Sequence, residues 1–419
     1  MKFIIPLFSI LGLVLGQNVA LATETEKPVA PISENPFDGP LVARISQAPV
    51  DAATHNEDLS NPFVEGHWVE QILYMNSYLS HYHMVPGNPS APKPPEPSSA
   101  LDGQGHPLWF DRPYGDQILR GLVVTLTAAS QFDDLDRLFA DWSQSSERMA
   151  DGRWKLLMFH DAMGQQFSGM SDWDASYRIL QDWRKKNPKS AAAAVAEAIY
   201  WYDYAWNARG NGYANTVTAD GWRLFNERLE KAETILIDSK PYASSNPLWW
   251  RVKLEVGGGL GLPIQDMLKE FEAGAAVEKY FYPAYTAMVT RLTPKWGGDW
   301  NLVDHFIKDA VKNTQDVEGY SMYARLYWSV DSCGCELSNL FRETQASWPD
   351  MKHGFEDLIR SYPHSAWIAN KYAVYACMAD DKDTFQAQRL RIGKMITPDA
   401  WPSNCSLDLC EHKYPTQPL

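Results

Sequence analysis

The sequence lacks an excess of basic residues. Its 419 residues include 38 Lys and Arg against 52 Asp and Glu, which gives a formal charge of −14 at pH 7. An acidic surface repels the phosphates of nucleic acids and the head groups of anionic lipids. We therefore expect no nucleic-acid partner and no binding to an anionic membrane surface.

The sequence also lacks the short motifs of three large enzyme classes. It contains no Gly-x-Ser-x-Gly, no His-Glu-x-x-His and no phosphate loop ending in Gly-Lys-Ser or Gly-Lys-Thr. The pair His160 and Asp161 could provide a base and its orienting carboxylate, but sequence neighbours on a helix point in different directions. We therefore assign no catalytic residue, no metal site and no cofactor.

Long apolar runs are missing after the first 22 residues. Within those residues, Met1 and Lys2 precede the apolar stretch Phe3–Leu15, and the small-x-small triplet at residues 20–22 is the kind that signal peptidase cleaves. An uncleaved anchor helix would need about 20 apolar residues. We predict a signal peptide over residues 1–22, no membrane span, and export to the periplasm or the medium.

Cysteine is scarce and confined to the last quarter of the chain. The five positions are Cys333, Cys335, Cys377, Cys405 and Cys410. Because exported proteins form disulfides, we expect Cys333 and Cys335 to pair with Cys405 and Cys410, which leaves Cys377 as a buried thiol. Two alternatives stay open: a zinc site that includes His412, and a strained, redox-active bond between Cys333 and Cys335.

Changes in composition divide the chain into segments. Residues 23–62 mix Pro, Ala, Asn, Glu and Asp without a period, which is typical of a flexible leader. Apolar residues cluster on one face over residues 63–85, which predicts an N-terminal helix. Residues 86–105 contain six prolines between Pro86 and Pro97, which predicts a linker. A helical body then covers residues 106–400, and residues 401–419 form a cysteine-containing C-terminal tail.

Helical periodicity dominates the body, and long strand alternation is missing. Residues 175–186 and 191–208 are two helix patterns joined by a Pro-containing turn whose last residue, Ser190, is a natural N-cap. Thr218 is the candidate N-cap of the long helix that follows. Residues 356–366 repeat this turn, and Pro283 marks a looser copy without a constant period. We predict an all-α fold of degenerate α/α helical hairpins, a tetratricopeptide-like superhelix. A non-repetitive all-α domain is the alternative.

Two short motifs resemble those of a known family. Residues 205–214 read Ala-Trp-Asn-Ala-Arg-Gly-Asn-Gly-Tyr-Ala, and residues 294–298 read Pro-Lys-Trp-Gly-Gly. Motifs of this kind and spacing are similar to those of a bacterial family known as a domain of unknown function, in which Arg is expected at the position of Lys295. The resemblance covers about residues 114–309. It implies no activity and no catalytic residues.

Both motifs place aromatic residues beside glycines that allow sharp backbone turns. In the first motif, Trp206, Arg209 and Tyr213 could bind an anionic group. The alternative, which we favour, is that Arg209 ends a helix by bonding to nearby carbonyl groups.

In the second motif and just after it, Trp296 and Trp300 could stack on a sugar ring beside the carboxylate of Asp299. The favoured alternative is that Asp299 caps the helix that begins near Trp300.

The chain contains 17 Trp and 20 Tyr, and such rings fill helix interfaces but also line grooves. We expect a repeat scaffold whose concave, aromatic and acidic surface binds a protein or another cell-envelope component. The alternative is an envelope enzyme that acts on glycans through an aromatic-lined cleft. That enzyme would need two carboxylates on opposite sides of one pocket.

Overall fold

The computed structural model describes residues 114–149, 151–169, 172–210, 212–332, 335, 337–393 and 395–415. The predicted signal peptide, leader, N-terminal helix and linker all precede this part of the chain. The same holds for the start of the predicted body. Cys333 and the last four residues of the tail also lie outside the described residues.

Sixteen α-helices, numbered here in chain order, make up most of the described residues, which contain no β-strand. They are α1 Tyr114–Ala128, α2 Phe132–Gln144, α3 Lys155–Gly169, α4 Trp173–Lys186, α5 Ala191–Arg209, α6 Ala219–Ala243, α7 Pro247–Gly259, α8 Ile264–Val277, α9 Tyr282–Arg291, α10 Trp300–Glu318, α11 Ser321–Asp331, α12 Leu340–Glu343, α13 Trp348–Ser361, α14 Ala366–Met378, α15 Lys382–Ile392 and α16 Leu407–Lys413.

The odd-numbered helices stack on one another in chain order. Each of α1, α3, α5, α7, α9 and α11 packs against the next odd-numbered helix, up to α13. Sequential helices form hairpins, of which the pair α5 and α6 has the most extensive interface. Stacked hairpins of this kind bury a continuous core between successive repeats. The predicted all-α helical-hairpin repeat is therefore confirmed.

Helix starts follow the capping residues that the sequence indicated. The side chain of Ser190 accepts a hydrogen bond from the backbone N–H of Ala193 and so begins α5. Thr218 accepts from the N–H of Gly221 at the start of α6. Each cap satisfies one of the N–H groups that a helix start leaves without an intrahelical partner.

Small and apolar residues place α5 and α14 deep in the core. In α5 the alanines at positions 192–194, 196 and 198 lie around Val195, and all of them are buried. All 13 residues of α14 are buried, including Cys377. A helix that is apolar all round is a core helix. None of the described helices combines the length and the apolar character needed to cross a membrane.

The disulfide pairing predicted from the sequence is wrong. Cys377 bonds to Cys410, with Cα atoms 5.9 Å apart, and Cys405 is the free, buried cysteine. Cys335 is disulfide-bonded, but not to Cys405 or Cys410. The physical reason is that the tail folds onto α14, so that α16 lies beside Cys377 rather than beside residue 335.

Candidate ligand-binding groove

The two motif turns meet in space. The first turn joins α5 to α6, and the second joins α9 to α10. The Trp206 and Trp296 rings pack edge to face, with centroids 6.0 Å apart and planes at 89°. Edge-to-face contact is a favoured geometry for aromatic pairs. The two motifs therefore belong to one surface, although they are far apart in the chain.

A groove with a volume of about 1300 Å³ runs along this surface. We call it the aromatic groove. Trp206, Trp222, Trp296 and Trp300 are half-buried in its wall, and Tyr213 is 69 % exposed. Of the six binding residues predicted from the sequence, the groove brings five together, namely Trp206, Arg209, Tyr213, Trp296 and Trp300.

Arg209 ends α5 and also lines the groove. Its Nη1 donates to the carbonyl oxygens of Gly210, at 3.1 Å, and Gly212, at 3.0 Å. Its guanidinium lies 5.2 Å from the ring centroid of Trp206 and 5.3 Å from that of Trp222. These contacts are those of the predicted helix stop, because they satisfy carbonyl groups just past the helix end. The same contacts hold a cation between two groove tryptophans.

Asp299 is a capping residue and does not line the groove. Its Oδ1 accepts hydrogen bonds from the backbone N–H groups of Asn301, at 2.8 Å, and Leu302, at 2.9 Å. Asp299 thus makes the contacts of an N-cap of α10, which is the alternative favoured from the sequence. Next to it, a Cβ at Gly298 would lie 1.9 Å from the carbonyl oxygen of Leu292, so only glycine fits at that position of the turn.

A smaller pocket of about 210 Å³ adjoins the aromatic groove, and we call it the inner pocket. The two share Trp206, Trp296 and Arg291. Arg291 donates to the carbonyl oxygens of Trp296 and Leu262, which ties α9 to the second motif turn. The inner pocket also reaches Tyr202, Arg251 and Glu255 on α5 and α7.

Four charged side chains beside the inner pocket form what we call the floor cluster: His160, Asp161, Arg251 and Glu255. His160 Nε2 lies 3.0 Å from Glu255 Oε2, and His160 Nδ1 lies 3.3 Å from Asp161 Oδ1. Arg251 donates through Nε and Nη2 to Glu255 Oε1, at 3.1 and 2.9 Å. Glu255 therefore bridges two cationic groups from different helices.

Electrostatics keep the floor cluster charged at neutral pH. Burial disfavours the charged form of His160, but Glu255 and Asp161 outweigh this effect and raise the His160 pKa to about 9. Burial likewise works against ionised Glu255, but Arg251 and His160 lower its pKa to about 2. The expectation that His160 and Asp161 point apart is wrong, because the two side chains are in contact. The role of Glu255 was missed because it lies 95 residues further along the chain than His160. The local signal was the i,i+4 spacing of Arg251 and Glu255 on α7.

Asp203 is a further carboxyl group near His160 and Glu255, and its pKa is shifted in the opposite direction to that of Glu255. Burial raises its pKa to about 7, an effect that His160 opposes and Glu255 reinforces. Its Oδ2 atom is buried and accepts no hydrogen bond from any described residue. Asp203 therefore stays protonated to a higher pH than an ordinary carboxyl group, whereas Glu255 is ionised at neutral pH.

The lining of the two pockets is aromatic and more cationic than acidic. Four cationic residues, Arg209, Arg251, Arg291 and Lys295, face two acidic ones, Glu255 and Glu343. The groove thus differs from the acidic surface expected from the net charge of the chain. Among the described residues, the one cluster of donors close enough together to hold a metal ion is Cys377, Cys405 and Cys410, outside the groove.

Comparison with other proteins defines a family for part of the chain. No curated protein and no solved structure matches it. One family model does match, over residues 119–237. This stretch runs from α1 into α6 and includes the first motif, while the second motif lies beyond it. Residues 119–237 thus match the model of the family described as Domain of unknown function (DUF4034).

Proposed function

We propose that the protein is a binding protein of the cell envelope and that its aromatic groove holds an acidic glycan. The observation that carries this proposal is the contact between Trp206 and Trp296, which joins two turns into one groove lined by four half-buried tryptophans. We infer export from the predicted signal peptide over residues 1–22.

The aromatic lining supports a ring-bearing ligand. Trp and Tyr offer broad apolar faces next to a polar group, which suits the flat, weakly apolar face of a sugar ring. Trp206 packs against Trp296, and Arg209 lies over the rings of Trp206 and Trp222. These three tryptophans are therefore already positioned, and little of their side-chain freedom is lost on binding.

The charges of the lining support an acidic ligand. Arg209 belongs to the first motif and Lys295 to the second, and both residues line the groove. In a groove that partly excludes water, a carboxylate of the ligand would interact with these cations more strongly than at an open surface. The surrounding protein carries net negative charge, so the attraction is local to the groove.

The carboxylates favour binding over glycoside hydrolysis. Glycoside hydrolysis needs a protonated carboxylic acid opposite a second carboxylate. Glu255 is bound by Arg251 and His160, and its pKa is about 2. Glu343 Oε1 accepts hydrogen bonds from the hydroxyl of Ser338 and from the N–H groups of Asn339 and Ser338, which together lower its pKa. Neither acidic residue of the described lining is a proton donor at neutral pH, and Asp203, whose pKa is raised to about 7, lines neither pocket.

Calorimetric titration with oligogalacturonate tests the proposal, and its methyl ester is the matched neutral ligand. We expect the acid to bind and the ester to bind at least tenfold more weakly, with the difference shrinking as salt is added. Trp296→Ala should weaken binding at least tenfold. Trp201→Ala is the matched control, because Trp201 is half-buried against Tyr177 and does not line the groove.

Four outcomes would contradict the proposal. Equal binding of the acid and the ester would show that the charge of the ligand does not contribute to its affinity. Unchanged affinity in Trp296→Ala would place the ligand elsewhere. Preferential binding of an oligoglutamate peptide would point to a protein partner, and release of reducing ends from the glycan would point to the enzyme alternative.

A further inference from the structure

A free thiol lies against the disulfide that ties the tail to the body. Cys405 is reduced and buried, with 6 % of its surface exposed. Its Sγ is 3.3 Å from Sγ of Cys410, which is bonded to Cys377. The three sulfur atoms all lie within 4.8 Å of one another. Cys405 therefore sits at contact distance from a sulfur that it could attack.

We propose that Cys377, Cys405 and Cys410 form an internal thiol–disulfide exchange site. The thiolate of Cys405 attacks Sγ of Cys410, a bond forms between these two sulfur atoms, and the bond from Cys410 to Cys377 breaks. The electron pair of the broken bond leaves on the sulfur of Cys377, which takes up a proton. One disulfide and one thiol are present before and after, so the step needs no external oxidant or reductant.

The exchange changes what the disulfide connects. Cys377 lies on α14, in the core, whereas Cys410 lies on α16, in the tail. The present bond therefore closes a link between segments 33 residues apart. A bond from Cys405 to Cys410 would span five residues within the tail. After exchange, the ion pairs Lys413–Asp380 and Arg389–Glu411 would be among the noncovalent contacts that hold the tail in place.

The exchange site is linked to the rim of the aromatic groove by the residue before Cys405. Nδ2 of Asn404 donates to the carbonyl oxygens of Leu337 and Ser338, at 3.2 Å each. Leu337 lines the groove, and Ser338 donates to the groove residue Glu343. A rearrangement of the Cys405 turn would therefore act on the segment that borders the groove.

The surroundings of Cys405 control the rate of exchange. Burial raises the pKa of its thiol to about 11, and the nearby cations Lys413 and Lys371 only partly oppose this, while Asp331 adds to it. Tyr375 faces the same sulfur and is itself hydrogen-bonded to Asp331. The thiolate is the attacking species. Exchange should therefore be slow at neutral pH and speed up about tenfold per pH unit below the thiol pKa.

Thiol trapping on the unaltered protein tests the proposal. The protein is incubated at pH 6, 8 or 9, quenched with acid, unfolded, labelled with an acid-compatible thiol reagent and mapped without reduction. We expect label on Cys405 at pH 6, and a fraction on Cys377 that appears about tenfold faster at pH 9 than at pH 8. Label confined to Cys405 at every pH, over hours, would overturn the proposal.

Two serine variants provide a second test. Cys377→Ser leaves Cys405 and Cys410 as the only pair of described thiols within reach of each other, and we expect this variant to contain a bond between them. Cys405→Ser is the matched control, since it keeps the bond from Cys377 to Cys410 and should carry no label on either at any pH. Labelling of both Cys405 and Cys410 in the first variant, purified under the same oxidising conditions, would also overturn the proposal.

Discussion

Replacing Glu255 by Gln should destabilise the fold strongly, because it removes the only anion that both Arg251 and His160 contact in the described structure. The substitution keeps the shape of the side chain and deletes its charge. Two largely buried cationic groups, with side chains 16 % and 15 % exposed, then lose their shared partner. Breaking a buried ion pair in this way typically costs about 3–5 kcal/mol. The energetic cost should also depend on pH, through His160.

The sign of that pH dependence follows from the raised His160 pKa. In the native protein this group is protonated up to about pH 9, against an ordinary value of 6.5. Its contribution to stability is therefore complete below about pH 6.5 and is lost as the pH rises through 9. Without Glu255, burial and Arg251 lower the His160 pKa. We expect the full 3–5 kcal/mol at pH 6, and about 1.5–3 kcal/mol above pH 9.5, where Arg251 still lacks a charged acceptor for its hydrogen bonds.

Urea unfolding at pH 6 and at pH 9.5 measures both values. Glu227→Gln is the matched control: it deletes the same charge, but Glu227 is half-exposed and its partners Arg223 and Lys231 are surface residues. It should cost less than about 1 kcal/mol at either pH. If Glu255→Gln were no more destabilising than this control, or equally destabilising at both pH values, the charge assignment of the floor cluster would be refuted.

Three further outcomes follow from the structure. Asp203→Asn should stabilise the protein by about 1–3 kcal/mol above pH 7 and have little effect below pH 4. The reason is that the raised pKa makes ionised Asp203 unfavourable in the folded state. Urea unfolding midpoints measured at both pH values check this. Arg209→Ala should lower stability by about 1–2 kcal/mol through lost cap hydrogen bonds, and an unchanged melting temperature would contradict the cap. Gly298→Ala should destabilise by more than 2 kcal/mol, since its Cβ meets the Leu292 carbonyl. Gly297→Ala, with φ +87° and open space around it, should cost about 1 kcal/mol.

Local features of the sequence predicted local features of the structure. Ser190, Thr218 and Asp299 were recognised as helix caps because a cap depends on a few neighbouring residues, and all three accept the expected backbone hydrogen bonds. The helical-hairpin plan followed from periodicity in the same way. The two motif turns were recognised separately as aromatic and glycine-rich.

Features that depend on packing between distant helices could not be predicted from the sequence. Periodicity does not determine which helices bring Trp206 to Trp296, nor that Glu255 comes to lie against His160. The pairing of Cys377 was wrong for the same reason. Its apolar helix indicated burial, which is correct, but not that the tail would fold back onto that helix.

The contact between Trp206 and Trp296 joins a residue inside the family match to a residue outside it. The family match ends at residue 237, inside α6. A fragment cut at that position would keep Trp206 and His160 but lose Trp296 and Glu255, the ring and the anion that complete their surroundings. The part of the chain shared with the family is thus shorter than the part that must fold together. Expression of the domain for biophysical work should therefore extend at least through α10.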